Sequence, residues 1–167
     1  MNTLIIGNLV SLLGCILMVY IGFVRNKARI LGLQCIQFGL LASANIIMGA
    51  YAGAIAGFVS IARNLVFTKK GGSTPWKLFF VTLQIALSWT ALQSGWLEWL
   101  PVLSTILFTC MLDVKSEVTL KIVMIFAQLF WLVYDLSYQN YTAATFDAFT
   151  MLSTIIGIFM IRNAKQK

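Results

Sequence analysis

The sequence predicts an all-α integral membrane protein: seven transmembrane helices, arranged as two parallel three-helix repeats joined by a linker helix. Three observations carry this. Only 10% of the 167 residues are charged while 60% are hydrophobic, against about a quarter charged in an ordinary soluble domain. Apolar runs of membrane-crossing length recur along the chain, and its basic residues all fall where alternate runs end.

The elements follow from the roughly 17–25 apolar residues a helix needs to cross a bilayer. The runs are 3–24, 30–49, 51–68, 77–95, 97–112, 118–137 and 142–161, with the third and fifth short. Turn-forming stretches separate them: GAYAG after the second, KKGGSTP before the fourth, QSGWLEW before the fifth and SYQNYT before the seventh. The first run has no positive residue before it and Arg25, Lys27 and Arg29 after it. That is the reverse of a secretory signal, so this run is expected to remain as a helix.

Charge tests the count independently. With seven spans, all twelve Lys and Arg lie in or near the loops after segments one, three and five, or at the C-terminus. They are Arg25, Lys27, Arg29, Arg63, Lys69, Lys70, Lys77, Lys115, Lys121, Arg162, Lys165 and Lys167. The other side has Glu98, Asp135 and Asp147 instead. The positive-inside rule then places the N-terminus outside and the C-terminus in the cytoplasm. Trp76 on the inner side, and Trp96 and Trp99 on the outer, suit an aromatic belt. The net charge of +7 is therefore read as loop charge, not as affinity for nucleic acid.

A displacement of 90 residues lays Tyr51 on Tyr141, Ala54 on Ala144, Arg25 on Lys115 and Ser60 on Thr150. Three spans, one odd span and three more restore a parallel orientation, with a ligand site expected between the halves. The divisions are 1–70 for the first repeat, 71–96 for the linker and 97–167 for the second repeat.

Polar residues inside a bilayer are costly against lipid and turn toward protein or a wet cavity. Gly53, Gly57, Ser60 and Asn64 share one helical face, and their displaced counterparts are Ala143, Asp147, Thr150 and Thr154. The hydroxyls either bind substrate or bond backbone carbonyls, with Gly53 and Gly57 serving close packing. Asn64 has more hydrogen-bonding sites than one backbone contact satisfies. Gln128, Trp131 and Asp135 form a stripe on the sixth segment, and Asn45 is the counterpart of Asp135. Such a stripe suits a ring-bearing ligand; Asp135 can equally be an interfacial anchor and Trp131 a packing residue. Asp147 binds a cationic ligand, exchanges a proton or caps a bend. Arg63 has three readings: a side chain snorkelling to the inner headgroups, an inner gate paired with Asp113 or Glu117, or an attractor of anions.

The stretches IIMGAYAGAIAGFVSIARNLVF, EWLPVLSTIL and FWLVYDLSYQNYTAATFDAFTMLSTIIGIFMIR resemble the bacterial inner-membrane YgjV family over nearly the whole chain. That family is placed in the clan of SWEET and SemiSWEET sugar facilitators, PnuC vitamin transporters and the KDEL receptor. The resemblance implies a 3+1+3 helix plan, an inner-membrane location and substrate contacts from the third and seventh spans. It also puts Arg63, Pro101, Asp147 and Arg162 on family positions. The chain departs from the sugar carriers in having no Pro-Gln pair at the inner half of segments one or five.

The expected function is a facilitator that moves a small polar metabolite (a sugar, a vitamin or a nucleoside-like compound) by alternating access. A receptor or assembly protein on the same fold is the alternative. An enzyme is not expected: there is no HExxH, no Ser-Lys dyad, no deep carboxylate pair and no histidine. Cys15, Cys35 and Cys110 lack metal or disulfide spacing, so no metal and no cofactor is expected. Partners are the substrate and membrane lipids; a monomer suffices and a homo-oligomer is left open.

Overall fold

In the computed structural model, residues 2–71, 73–89 and 95–165 are described, residues 164 and 165 by backbone alone. They form seven α-helices: α1 Thr3–Phe23, α2 Lys27–Met48, α3 Tyr51–Lys70, α4 Thr74–Trp89, α5 Trp99–Met111, α6 Glu117–Ser137 and α7 Tyr141–Lys165. A 3-10 turn, Trp96–Glu98, leads into α5. Helices α1, α2, α3, α6 and α7 are long and apolar enough to cross a membrane. The segment predicted over 77–95 is helical over Thr74–Trp89; residues 90–94, like Lys167, lie outside the described residues.

Helix starts are set by short polar side chains that take up otherwise unpaired backbone N–H groups. Asn26 accepts from Arg29 N at 3.1 Å, and Ser116 accepts from Thr119 N at 3.3 Å. These two caps stand 90 residues apart, and the correspondence continues. Gly49 ends α2 with φ of 78°, and Gln139 follows α6 with φ of 57°. Ala50 N donates to Asn45 O at 2.8 Å, and Asn140 N donates to Asp135 O at 2.9 Å. Tyr51 and Tyr141 then open α3 and α7. One turn geometry recurs, with glycine in the left-handed conformation at the first site and glutamine at the second.

Six helices close a ring. Helix α1 packs on α2 and α7, α2 on α3, α3 on α5, α5 on α6, and α6 on α7. Helix α4 lies outside the ring against α3 and α5, docked in part by the Phe67 and Phe80 rings meeting edge to face at 5.9 Å. The outer surface carries Leu9, Leu13, Ile16, Phe58, Leu65, Phe149, Leu152 and Phe159, all exposed, whereas Gln34, Gln37, Asn45, Ser60, Arg63 and Asp147 are buried. An apolar outside around a polar inside suits lipid, not water, as the surrounding solvent.

The basic loops meet at one end. Lys27 Nζ donates to Val114 O at 3.5 Å, Lys77 Nζ to Cys110 O at 2.8 Å, and Lys77 also pairs with Asp113. At the opposite end Tyr138 donates its hydroxyl hydrogen to Glu98, and Thr142 N donates to Asn8 Oδ1 at 3.1 Å.

Candidate functional site

The ring encloses a cavity of about 60 Å³ to which all six of its helices contribute. Met18 and Ile21 come from α1, Gln37 and Asn45 from α2, and Gly53, Gly57, Ser60 and Arg63 from α3. Ser104, Thr105 and Phe108 come from α5, Gln128, Trp131 and Asp135 from α6, and Asp147 and Thr150 from α7. The space holds a few water molecules at most, so a metabolite would need the ring to part.

Arg63 forms the floor toward the basic end. Its Nε and Nη2 donate to Asn64 Oδ1 at 3.1 and 2.9 Å, and its Nη1 donates to Thr109 Oγ1 at 3.1 Å and Thr105 O at 3.4 Å. The guanidinium carbon stands 4.9 Å from the Phe108 ring centroid. At 1% exposure the side chain does not snorkel, which corrects that reading. Nor is it paired with Asp113 or Glu117. Asp113 is taken by Lys77 in the loop after α5, and Glu117 is exposed in the first turn of α6. Arg63 lies about two turns inward of the end of α3 and directs its donors to Asn64, Thr105 and Thr109. Its acceptors are all neutral.

Asn64 is fully buried but is absent from the cavity wall, because its amide is consumed by protein. Its Oδ1 accepts twice from Arg63, and its Nδ2 donates to Gln34 Oε1 at 3.1 Å and Leu31 O at 3.5 Å. The long Arg63 side chain thus reaches the wall in its place, and Asn64 holds it there. Thr154 is buried and does not line the cavity either. The Thr150 and Thr154 hydroxyls find no hydrogen-bond partner, which corrects the reading of them as bonded to backbone.

At the opposite part of the cavity Asp135 and Asp147 share a side-chain hydrogen bond. Gln128 Nε2 donates to Asp147 Oδ1. Asn140 caps α7 through Ala143 N at 3.2 Å and also hydrogen-bonds Asp135. A deep carboxylate pair was not expected from the sequence. The α6–α7 hairpin makes it: Asp135 lies near the end of α6 and Asp147 in the second turn of α7, on either side of one connection. The signal available was that pairing across the hairpin, with Asn140 at its apex. Trp131 lines the cavity here, 5.8 Å from the Tyr134 ring.

Tyr134 had no role in the sequence reading, yet it is fully buried and accepts from Gly53 N at 3.1 Å. Its hydroxyl satisfies an unpaired N–H in the first turn of α3 and ties α6 to α3 at the acidic end. Lys121, also unforeseen, is 1% exposed and donates to Gly22 O at 2.6 Å, tying α6 to α1 at the basic end. Lys121 was read only as a loop charge. Among the described residues no group of His, Cys, Asp or Glu has the arrangement of a metal site.

Fold and cavity together define a multi-pass α-helical membrane protein with a buried chamber that carries polar side chains on a largely apolar wall. The chain matches the family Imp-YgjV, described as bacterial inner membrane protein, over residues 5–165, and it belongs to that family. No curated protein and no solved structure matches it.

Proposed function

We propose that the protein is a carrier for a small polar metabolite, working by alternating access between α1–α3 and α5–α7 with α4 as the linker. The observation that carries this is a cavity, largely apolar but set with polar side chains, to which both three-helix units contribute, with bonds running from one unit to the other at each end. At the basic end Arg63 of the first unit reaches Thr105 O of the second, and Lys121 of the second reaches Gly22 O of the first. At the acidic end Tyr134 and Thr142 of the second unit meet Gly53 and Asn8 of the first. Each end can open only by releasing its own set. The recurrence of caps and turn at a 90-residue displacement supports two parallel repeats, and with them the SWEET-like plan.

On this reading the N-terminus is outside, the basic end faces the cytoplasm, and Arg63 with Lys121 forms the inner latch in place of an Arg63–Asp113 or Arg63–Glu117 pair. Ser60, Gln128, Trp131, Thr150, Asp147, Asn45 and Asp135 meet the substrate; Asn64 acts through Arg63. No cofactor and no catalysis are involved, a monomer is sufficient, and lipid surrounds it. The test is uptake and counterflow of radiolabelled sugars, vitamins, nucleosides and amines by proteoliposomes. Saturable counterflow that is altered in Arg63→Lys, whose single ammonium cannot span Asn64 and Thr109, supports the carrier. Saturable binding of a solute with no flux in either direction would turn the reading to a receptor.

A further inference from the structure

The acidic part of the cavity has acceptor groups that the protein leaves unused. Asp147 Oδ2 receives no amide N–H or hydroxyl from the chain, and the Thr150 hydroxyl, one turn deeper on the same face, has no partner. Both residues line the cavity and are at most 3% exposed. Buried polar atoms are nearly always satisfied, so two of them side by side on a cavity wall point to a ligand that brings donors.

Asp135 and Asp147 line the same cavity wall and interact directly, and that closeness bears on the charge of the site. Two carboxyl groups bonded to each other hold one proton between them and carry one negative charge. The surroundings add little. Helix α1 presents the Cys15 thiol, α2 the amides of Gln37 and Asn45, and α5 the hydroxyls of Ser104 and Thr105. Helix α6 adds the Tyr134 phenol, and the Glu98 carboxyl beyond it is bonded by Tyr138. Arg63 of α3 lines the same cavity but spends its donors on Asn64, Thr109 and Thr105. Trp131 places an aromatic ring in the wall beside the pair, a group that attracts cations.

Resting on the carrier reading, we infer that the Asp135–Asp147 pair binds an ammonium-bearing metabolite and releases its shared proton in exchange. As the ligand enters, the carboxyl O–H bond breaks and the proton passes to water. The ammonium N–H groups then donate to the two carboxylates and the Thr150 hydroxyl oxygen. The site carries one negative charge before and after, so no further charge is brought into a low-dielectric interior, where it would be costly. Proton and ammonium compete for the same oxygens, and each crosses the membrane only in place of the other.

The test titrates the full-length protein in detergent with methylammonium chloride, by calorimetry in two buffers of different ionisation enthalpy. About one proton is released per methylammonium bound, and affinity rises about tenfold per pH unit while the pair holds its proton. In the infrared difference spectrum, the band of a protonated carboxyl disappears on binding. Asp135→Asn and Asp147→Asn, each checked for retained thermal unfolding, abolish the release. Should either variant fail to fold, the infrared band of the unaltered protein decides alone. Binding without proton release, pH-independent affinity, or no methylammonium binding overturns the exchange. If neutral solutes still show counterflow in proteoliposomes, the carrier reading survives that result. If no solute moves at all, the carrier reading fails, whatever the proton count.

Discussion

The turn between α2 and α3 and the turn between α6 and α7 share a backbone hydrogen bond, a left-handed residue and a tyrosine at the next helix start. Their side chains differ in a consistent way. Asn45 at the first is Asp135 at the second, Gly53 is Ala143, Gly57 is Asp147, and Ala44 is Tyr134. The α2–α3 turn has the smaller residues and the α6–α7 turn the volume and charge. Tyr134 occupies the space beside Gly53, where an added Cβ would come within 2.9 Å of its ring and 2.7 Å of Asn45 Nδ2. Two turns of one backbone geometry can therefore carry different side chains, because the backbone sets the turn while the side chains fill only one side of it.

The comparison breaks most sharply at Gly53. Gly53→Ala should cost about 1–3 kcal/mol by overpacking, whereas Ala143→Gly, at the matching position, should cost about 1 kcal/mol through helix propensity. Thermal unfolding of the two variants in one detergent measures the difference. Tyr134→Phe removes the acceptor for Gly53 N and leaves a buried donor unpaired, a loss of about 1–3 kcal/mol; faster amide exchange at the start of α3 would accompany it. An unchanged unfolding temperature would remove Tyr134 from the closure.

The left-handed residues give a smaller pair of effects with opposite signs. Gly49→Ala should destabilise by about 1 kcal/mol, and Gln139→Gly should stabilise by a similar amount, because only glycine adopts that backbone without a Cβ clash. Equal shifts in one direction would mean the two turns are not equivalent. The smallest effect lies at the basic end, where Asp113 pairs with Lys77 and its counterpart in the first unit is Phe23. The hydrogen bond from Lys77 holds the Asp113 carboxyl below its ordinary value of 3.8. Stability from this pair is present at neutral pH and is lost as pH falls through the depressed value. An exposed pair of this kind is worth below about 1 kcal/mol. Unfolding from pH 7 into acid, compared with Asp113→Asn, isolates it.

Most of the helix plan was legible in the letters. Apolar runs near 20 residues separated by Gly, Asn and Lys clusters located α1, α2, α3, α6 and α7 to within a few residues. Helix α4 begins three residues earlier than predicted because Thr74 and Pro75 suit a first turn. The candidate site was legible only as faces. Ser60, Gln128, Trp131, Asp135, Asp147, Thr150 and Asn45 do line one cavity, but Asn64 and Thr154 do not. A helical wheel gives the direction of a side chain, not what stands opposite it, so it could not say that Asn64 would be occupied by Arg63 and Gln34.

Composition and order of residues by themselves determined a lipid-facing exterior, the positions of the long helices and the recurrence at 90 residues. Those properties depend on solvent, chain length and local turn chemistry, all of which are written along one strand of sequence. Tertiary packing decided the pairings. It set Arg63 against neutral acceptors, Lys121 on Gly22 O, Tyr134 on Gly53 N, and Asp135 beside Asp147. Each joins residues from different helices, and a buried polar atom must take whatever partner the closed ring brings within 3 Å or so.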